Sequence, residues 1–211
     1  MNILAIDSTD KHFSFSYQLQ PDQIYQYISK DDWQHAESIL DKINSEIKDF
    51  STLDYLVVSR GPGSFTGLRI GLAIAKAFKI ALPKIKIITP THFQIMANIA
   101  LSQAQFNVAM LIIDAKRGEL VAQRISSHLG EIDQMSNFPR ENLELLDLTT
   151  FDIIITDSMW VKEYFPAAHL INKISSSDAL DTAIKLSGNK IDTAILEPLY
   201  FRPSDAKPMK L

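Results

Sequence analysis

Glycine is scarce in this chain and is concentrated in one place. Four of its seven glycines lie in the segment SRGPGSFTGLRIG, residues 59–71. The apolar residues before this segment predict a short buried strand over 55–58, and those after it predict a helix over 65–82. Within that helix Gly67, Gly71 and Ala75 are four residues apart and share one face. Because glycine in a helix costs about 1 kcal/mol relative to alanine, this stripe predicts that another backbone approaches closely.

The rest of the predicted helix is apolar on almost every face. Its only charged residues are Arg69, Lys76 and Lys79. A helix with this pattern is covered on nearly all sides, whereas a small domain covers only one or two of them. The sequence therefore predicts that this helix forms part of a subunit interface.

The glycine spacing excludes three familiar catalytic or phosphate-binding motifs. The third glycine of a Rossmann fingerprint would have to stand one position before Gly67, and the Gly-Lys-Ser/Thr of a P-loop is absent. A hydrolase nucleophile elbow around Ser64 would need glycines two positions before and after it, where the chain has Pro62 and Thr66. Two interpretations stay open. The free amide groups at the helix start bind an anion, or the loop only turns the chain and Ser64 or Thr66 caps the helix.

Two pairs of segments repeat along the chain. ILAIDSTD at residues 3–10 is similar to LIIDAKRG at 111–118, and LDYLVVSR at 53–60 is similar to FDIIITDS at 151–158. The order is the same in each half and the offsets are about a hundred residues, which predicts two copies of one α/β unit. The alternative is a chance likeness between any two α/β units. Residues 126–145 are polar and irregular, and they predict no regular element.

Asp7 and Asp114 each end a predicted buried strand. A carboxylate in this position either meets a metal or a phosphate, or it closes a local Asx turn. The first interpretation supports an alternative function, an autonomous small ATPase or kinase. No two of the five histidines are three or four residues apart, so no helix offers a pair of imidazoles to a metal. Cysteine is absent, which excludes thiolate metal sites and cysteine nucleophiles.

Composition limits the classes of partner. The chain has a net charge of −4 and no long basic run, so we expect it to contact RNA only together with another protein. The N-terminal MNILAIDSTD lacks the basic and long apolar parts of a signal peptide. The longest apolar-rich stretch, residues 70–82, carries two lysines and is too short to span a bilayer. The sequence thus predicts a soluble, cytoplasmic protein without membrane contact.

Four segments together resemble one protein family. They are ILAIDST at residues 3–9, GPGSFTGLRIG at 61–71, IDAKRGEL at 113–120 and EPLYFR at 197–202. In this order they are similar to the TsaB (YeaZ) family. The resemblance implies an α/β protein with the actin/Hsp70-like (ASKHA) fold, in which two tandem ribonuclease-H-like units have mixed sheets flanked by helices. The units would be residues 1–105 and 106–211, with the C-terminal tail packing back on the first unit.

The resemblance also implies a function in tRNA modification. The chain would be a non-catalytic scaffold for threonylcarbamoylation of N6 of adenosine 37 (t6A37) in tRNAs that read ANN codons. It would form a heterodimer with a TsaD-like catalytic subunit, recruit a TsaE-like ATPase, form a homodimer when alone and contact tRNA only within the complex. TsaD-like enzymes carry two metal-binding histidines on a helix; here His92 stands at the first position but Met96 at the second. The resemblance therefore implies no metal, no cofactor and no catalytic residue.

The resemblance places the pairing surface on the helices predicted over residues 32–48 and 65–82. The residues expected to contact a partner are Gly67, Arg69, Ile70, Gly71, Ile74, Ala75, Phe78, His35 and Ile39. Those expected to contact a nucleotide within the complex are Arg60, Gly61, Gly63, Ser64 and Thr66.

Overall fold

The computed structural model describes residues 1–9, 12–20, 23–29, 35–147, 149–188 and 195–200. The first part of the chain forms a five-stranded mixed sheet with the strand order β3-β2-β1-β4-β5. Its elements are β1 (Ile3–Asp7), β2 (Ser14–Gln20), β3 (Gln23–Ile28), α1 (His35–Glu46), β4 (Tyr55–Val58), α2 (Phe65–Ala81) and β5 (Lys86–Ile88). The central strand β1 is buried along its whole length, which explains its continuous apolar run.

The second part of the chain forms a second five-stranded mixed sheet with the order β10-β9-β6-β7-β8. Its elements are α3 (His92–Leu101), β6 (Val108–Lys116), β7 (Glu119–Ser126), β8 (Ser136–Pro139), β9 (Ile153–Thr156), α4 (Met159–Tyr164), β10 (His169–Leu170) and α5 (Ser176–Gly188). A short 3-10 helix over Arg140–Leu145 follows β8. The prediction of no regular element over residues 126–145 is therefore wrong, because a polar edge strand ending in proline carries no alternating apolar pattern.

The two sheets are built in the same way. In each, the first strand is antiparallel to the second and parallel to the fourth, as β1 is to β2 and β4 and β6 is to β7 and β9. Their tertiary hydrogen bonds also match. The carboxylate of Asp54 accepts from the amide of Asn2 at 2.8 Å, and that of Asp152 accepts from the amides of Asn107 and Val108 at 2.6 and 3.0 Å. The prediction of two copies of one α/β unit is confirmed.

A lysine near the end of each equivalent helix makes the same pair of contacts. The ammonium of Lys79 in α2 donates to the carbonyls of Pro83 and Ile85 at 3.0 and 2.7 Å. The ammonium of Lys162 in α4 donates to the carbonyls of Pro166 and Ala168 at 2.6 and 2.8 Å. Both lysines thus satisfy carbonyl groups just after their helix, as cations near a helix C-terminus commonly do.

The two sheets share one apolar core. Two helices, α3 and α5, each pack on the sheet of the other predicted unit. Helix α3, which precedes the second sheet, packs on β6, β7 and β9, whereas α5, at the end of the second part, packs on β1, β2, β3 and β4. The core therefore contains buried residues of both sheets, including Ile3, Val57, Phe93, Leu111 and Ile155. The division into units at residues 105 and 106 stays a prediction, and the packing of both helices crosses it.

Helices α1 and α2 cover the other face of the first sheet. Ile39 and Ile43 of α1 and Ile47 directly after it recur at four-residue spacing and are fully or almost fully buried. Phe50 and Phe78 meet edge to face at a centroid distance of 5.2 Å and close the far end of this layer.

Residues 32–34 of the predicted first helix lie outside the described residues, as do the side chain of His35 and the tail beyond residue 200. None of the helices in the described residues combines the length and the apolar character that a membrane-spanning segment needs.

Candidate functional site

The glycine segment turns the chain from β4 into α2, and backbone hydrogen bonds to neighbouring segments hold it. The amide of Arg60 donates to the carbonyl of Pro90 at 3.1 Å, and the amide of His92 donates to the carbonyl of Gly61 at 2.7 Å. The carbonyl of Arg60 accepts from the amide of Leu199 at 2.7 Å. Gly61 has a φ of +100°, a left-handed conformation that glycine adopts without strain. The segment is therefore a fixed part of the fold.

The helix-capping interpretation of this segment is confirmed. Ser64 precedes the first residue of α2, and its hydroxyl accepts a hydrogen bond from the amide of Gly67 at 3.3 Å. The guanidinium of Arg60 forms an ion pair with Glu131 at 3.3 Å, so the chain itself already supplies an anion for this residue. Nucleotide contact stays a prediction for all five residues proposed for it: Arg60, Gly61, Gly63, Ser64 and Thr66.

The small-residue stripe of α2 faces the chain's own first sheet. A Cβ atom on Gly67 would lie 1.6 Å from the carbonyl oxygen of Ser8, and one on Gly71 would lie 2.9 Å from the Ser8 hydroxyl and from a methyl group of Val58. The Ser8 hydroxyl donates to the carbonyl of Gly67 at 2.8 Å. The close backbone approach that the glycines predict is thus real, but it is intramolecular.

This packing bears on the predicted partner contacts, which stay predictions. Five of the residues are buried within this chain: Gly67, Gly71, Ala75, Ile74 and Ile39. The physical reason is that each lies on the inner face of its helix, where it covers the first sheet. Arg69 remains exposed, and Ile70 and Phe78 are half-buried at the margin of the same helix.

The exposed face of α2 is a seam of five residues that the sequence analysis did not identify as one surface, although it named Arg69 as a partner contact. We call it the outer seam, and it consists of Thr66, Arg69, Ala73, Lys76 and Ile80. These residues are three and four apart in alternation, which is the spacing that helices use to pack along each other. The side chain of Ile80 is 82% exposed, and the exposed Ala77 lies beside the seam. The heptad spacing opposite the glycines is the signal that would have identified it.

The outer seam is basic. Helix α2 contains no acidic residue, and its three charged residues are Arg69, Lys76 and Lys79. The ammonium of Lys79 donates hydrogen bonds to carbonyl groups after the helix. Arg69 and Lys76 form no ion pair within the described part of the chain. A chain of net charge −4 therefore presents two uncompensated positive charges on this face.

The two carboxylates at the strand ends are engaged by the chain's own donors. One oxygen of Asp7 accepts from the amide and the hydroxyl of Thr9, at 2.9 and 2.7 Å, and Asp7 is only 3% exposed. Asp114 accepts from the amide of Lys116 at 2.8 Å and from the guanidinium of Arg140 at 2.6 Å. Both residues thus form the local Asx turn that was one of the two interpretations.

The environment of Asp114 favours its charged form. Burial raises the pKa of its carboxyl, but the hydrogen bond from the Lys116 amide and the contact with Arg140 outweigh burial, so the pKa lies below its ordinary value of 3.8. A carboxyl whose pKa is lower in the folded than in the unfolded chain stabilises the fold above the unfolded pKa, and this stabilisation is lost as the pH falls through the folded pKa.

We expect Asp114→Asn to lower the free energy of unfolding by about 1–2 kcal/mol at neutral pH. The variant leaves the Arg140 guanidinium without its carboxylate, and its difference from wild type should shrink as the pH falls below about 4. Urea unfolding across this pH range measures both effects. Asp49→Asn is the matched control, because Asp49 forms the same turn with Ser51 but is exposed. If the two variants lost equal free energy of unfolding, the contact between Arg140 and Asp114 would not contribute to stability.

The helix that carries His92 offers no second metal ligand. His92 begins α3, and Met96, one turn later, is completely buried in the shared core. Within the described residues no group of three or more His, Cys, Asp or Glu side chains could hold a metal ion.

Comparison with known proteins agrees with this architecture. The family model described as "TsaD: tRNA N6-adenosine threonylcarbamoyltransferase" matches residues 29–137, which is a little more than half of the chain. The chain superimposes on the structure "YeaZ from Pseudomonas aeruginosa" with a TM-score of 0.75 at 18% identity, covering 95% of this chain and 99% of that chain. A second structure, "an uncharacterized protein with similarity to peptidase YEAZ from Pseudomonas aeruginosa", gives a TM-score of 0.74 at 19% identity. These likenesses show that the chain has the fold of the YeaZ structures, with two mixed five-stranded sheets flanked by helices as predicted.

Curated relatives share one name. The chain is 27% identical over 152 residues to "tRNA threonylcarbamoyladenosine biosynthesis protein TsaB" of Bacillus subtilis (strain 168), covering 70% of this chain and 64% of that protein. It is 33% identical over 111 residues to the protein of the same name from Haemophilus influenzae, covering 47% of this chain and 46% of that protein. The chain thus aligns with less than two thirds of the length of these relatives. The family-model match, the curated relatives and the fold together show that this chain belongs to the TsaB (YeaZ) family.

Proposed function

We propose that this chain is a non-catalytic subunit for the formation of t6A37 in tRNAs that read ANN codons. In this proposal it pairs with a TsaD-like catalytic subunit and recruits a TsaE-like ATPase in the cytoplasm, and tRNA is contacted only in the assembled complex. The relatives named for threonylcarbamoyladenosine biosynthesis support the pathway. The autonomous ATPase alternative gains no support from Asp7 or Asp114, since the chain's own donors engage both carboxylates.

The observation that carries the pairing proposal is the outer seam of α2. A helix of 17 residues is about 25 Å long, and the seam runs along most of it. Ala73 and Ala77 allow another helix to approach closely, and Ile80 offers an exposed apolar side chain at one end. Arg69 and Lys76 add positive charge, which favours an acidic partner. Without a partner, the same seam is the surface through which we expect two copies of the chain to pair.

We expect Ile80→Asp to weaken binding of the TsaD-like subunit encoded in the same genome by about 10- to 100-fold, which corresponds to about 1.4–2.7 kcal/mol. The variant places a charge where an apolar side chain would be buried in the interface. Binding is measured by calorimetry, and threonylcarbamoylation of tRNA by the reconstituted proteins should fall in parallel.

Ile184→Asp is the matched control for this experiment. Ile184 is an isoleucine of α5 with 40% exposure, so its replacement changes the charge of the chain equally but away from the seam. If Ile80→Asp and Ile184→Asp bind the partner as wild type does, and both remain folded by circular dichroism, pairing through the outer seam is wrong.

A further inference from the structure

Residues 195–200 form a strap that returns from the second part of the chain to the glycine segment. The amide of Ile195 donates to the hydroxyl of Thr89 at 3.2 Å, and the amide of Leu199 donates to the carbonyl of Arg60 at 2.7 Å. The side chain of Leu196 packs against the core beneath α1 and α2. These contacts bring the next residue, Tyr200, to the first turn of α2.

Tyr200 and Phe65 both contact the guanidinium of Arg69. The aromatic rings stack at a centroid distance of 5.0 Å with an interplanar angle of 30°. The guanidinium carbon of Arg69 lies 3.9 Å from the centroid of the Phe65 ring, and its Nε donates to the Tyr200 hydroxyl at 3.0 Å. One face and one edge of the guanidinium are therefore in contact with the chain. Its two Nη groups make no hydrogen bond or ion pair with any described residue.

This arrangement prepares Arg69 for an anion. An arginine side chain normally loses much rotamer freedom when it binds, and a guanidinium that is already held in place loses less. The two free Nη groups present a planar pair of donors that matches the two oxygens of a carboxylate. Because Arg69 is part of the outer seam, a bound group would lie beside Ala73 and at the start of the apolar surface that ends at Ile80.

We propose that Tyr200 is a positioning residue that holds Arg69 ready to bind a carboxylate on a helix of the partner subunit. The inference rests on the proposed function, since it assumes that the partner packs on the outer seam. Ala73 beside Arg69 and the exposed Ile80 farther along the seam suit a protein helix better than a nucleic acid backbone, and the absence of acidic residues from α2 leaves the complementary charge to the partner. The strap thus links the segment after α5 to the strength of pairing.

A double-mutant cycle on the full chain tests this role. Tyr200→Phe removes the hydroxyl and keeps the ring that stacks on Phe65, so the fold should be retained with an unchanged melting temperature. We expect Tyr200→Phe to weaken binding of the TsaD-like subunit by about 3- to 10-fold in the wild-type background, which is the usual worth of one hydrogen bond. In the Arg69→Ala background the same change should have almost no effect, because Tyr200 acts through Arg69.

Two further variants complete the design. Arg69→Lys should bind as weakly as Arg69→Ala, because a lysine ammonium cannot make the planar two-donor contact. Tyr164→Phe is the matched control, since Tyr164 is an exposed tyrosine on α4, and it should bind the partner as wild type does. Rescue by Arg69→Lys would overturn the carboxylate geometry.

The remaining outcomes separate this inference from the proposed function. If Ile80→Asp disrupts pairing but Tyr200→Phe does not, the role of Tyr200 is overturned and the interface stands. If neither variant affects pairing, both proposals fail. Equal effects of Tyr200→Phe with and without Arg69 would also overturn the inference. The same holds if Tyr200→Phe and Arg69→Ala weaken only the binding of tRNA, because the anion would then be a phosphate.

Discussion

Gly67→Ala is expected to lower the free energy of unfolding by at least about 3 kcal/mol, the upper end of the usual cost of overpacking. The added methyl group would lie 1.6 Å from the carbonyl oxygen of Ser8 and 2.8 Å from its carbonyl carbon. These are backbone atoms at the end of a central strand, so they cannot rotate away as a side chain would. The gain of about 1 kcal/mol from alanine in a helix is too small to compensate. Chemical unfolding followed by circular dichroism measures the change.

Two other glycines provide graded controls for this prediction. A Cβ atom on Gly71 would meet only side-chain atoms, the Ser8 hydroxyl and a methyl group of Val58 at 2.9 Å, so Gly71→Ala should destabilise less. A Cβ atom on Gly188, the last residue of α5, would meet nothing within 4 Å, and Gly188→Ala should be neutral or stabilise by up to about 1 kcal/mol. A Gly67→Ala variant as stable as wild type would show that α2 does not approach Ser8 in this way.

A fragment of residues 1–105 is expected not to fold by itself. It would contain the first sheet but lack α5, which packs on β1, β2, β3 and β4. It would also leave α3 without the strands β6, β7 and β9 on which it packs. Each buried Ile, Leu or Val side chain that becomes exposed costs about 1.5–3 kcal/mol of folding free energy. Exposing several of them exceeds a typical total stability of about 5–15 kcal/mol. We expect the fragment to show no cooperative thermal transition, whereas the full chain unfolds in one.

The control for this truncation is a chain that ends at residue 194. It keeps α5 and both sheets and loses the strap and the residues that follow it, so it should still unfold in one cooperative transition. Mixing the fragments 1–105 and 106–211 during refolding should restore the transition, because the exchanged helices then find their sheets. A sharp transition from the 1–105 fragment alone would contradict a core shared by the two sheets.

Sequence patterns predicted the main elements of the fold because those elements bury continuous apolar runs. The runs at residues 3–7 and 55–58 are interior strands, and Ile39 and Ile43, four residues apart, lie on the inner face of α1. The strands that sequence patterns missed lie at the edges of the second sheet. β8 is polar and β10 has only two residues, so neither carries enough apolar periodicity to be recognised.

The glycine stripe of α2 correctly indicated a close backbone contact. A partner surface on the same helix stays a prediction. Periodicity identifies which residues share a face, but it does not say whether a face meets the same chain or another one. Only Arg69 belongs both to the predicted partner contacts and to the outer seam. The contact between Tyr200 and Arg69 spans 131 residues, and no local pattern predicts such a pair.

By itself, the sequence indicated two copies of one α/β unit, offered a capped helix as one interpretation of the glycine turn, and carried the motifs of the family to which the chain belongs. These features depend on local spacing and on short motifs, which are properties of neighbouring residues. The tertiary structure alone decided that α3 and α5 are exchanged between the sheets, that the glycines of α2 pack on Ser8, and that Arg69 is held by Tyr200. Each of these depends on the space left by residues far apart in the chain, and that space exists only once both sheets have packed around their shared core.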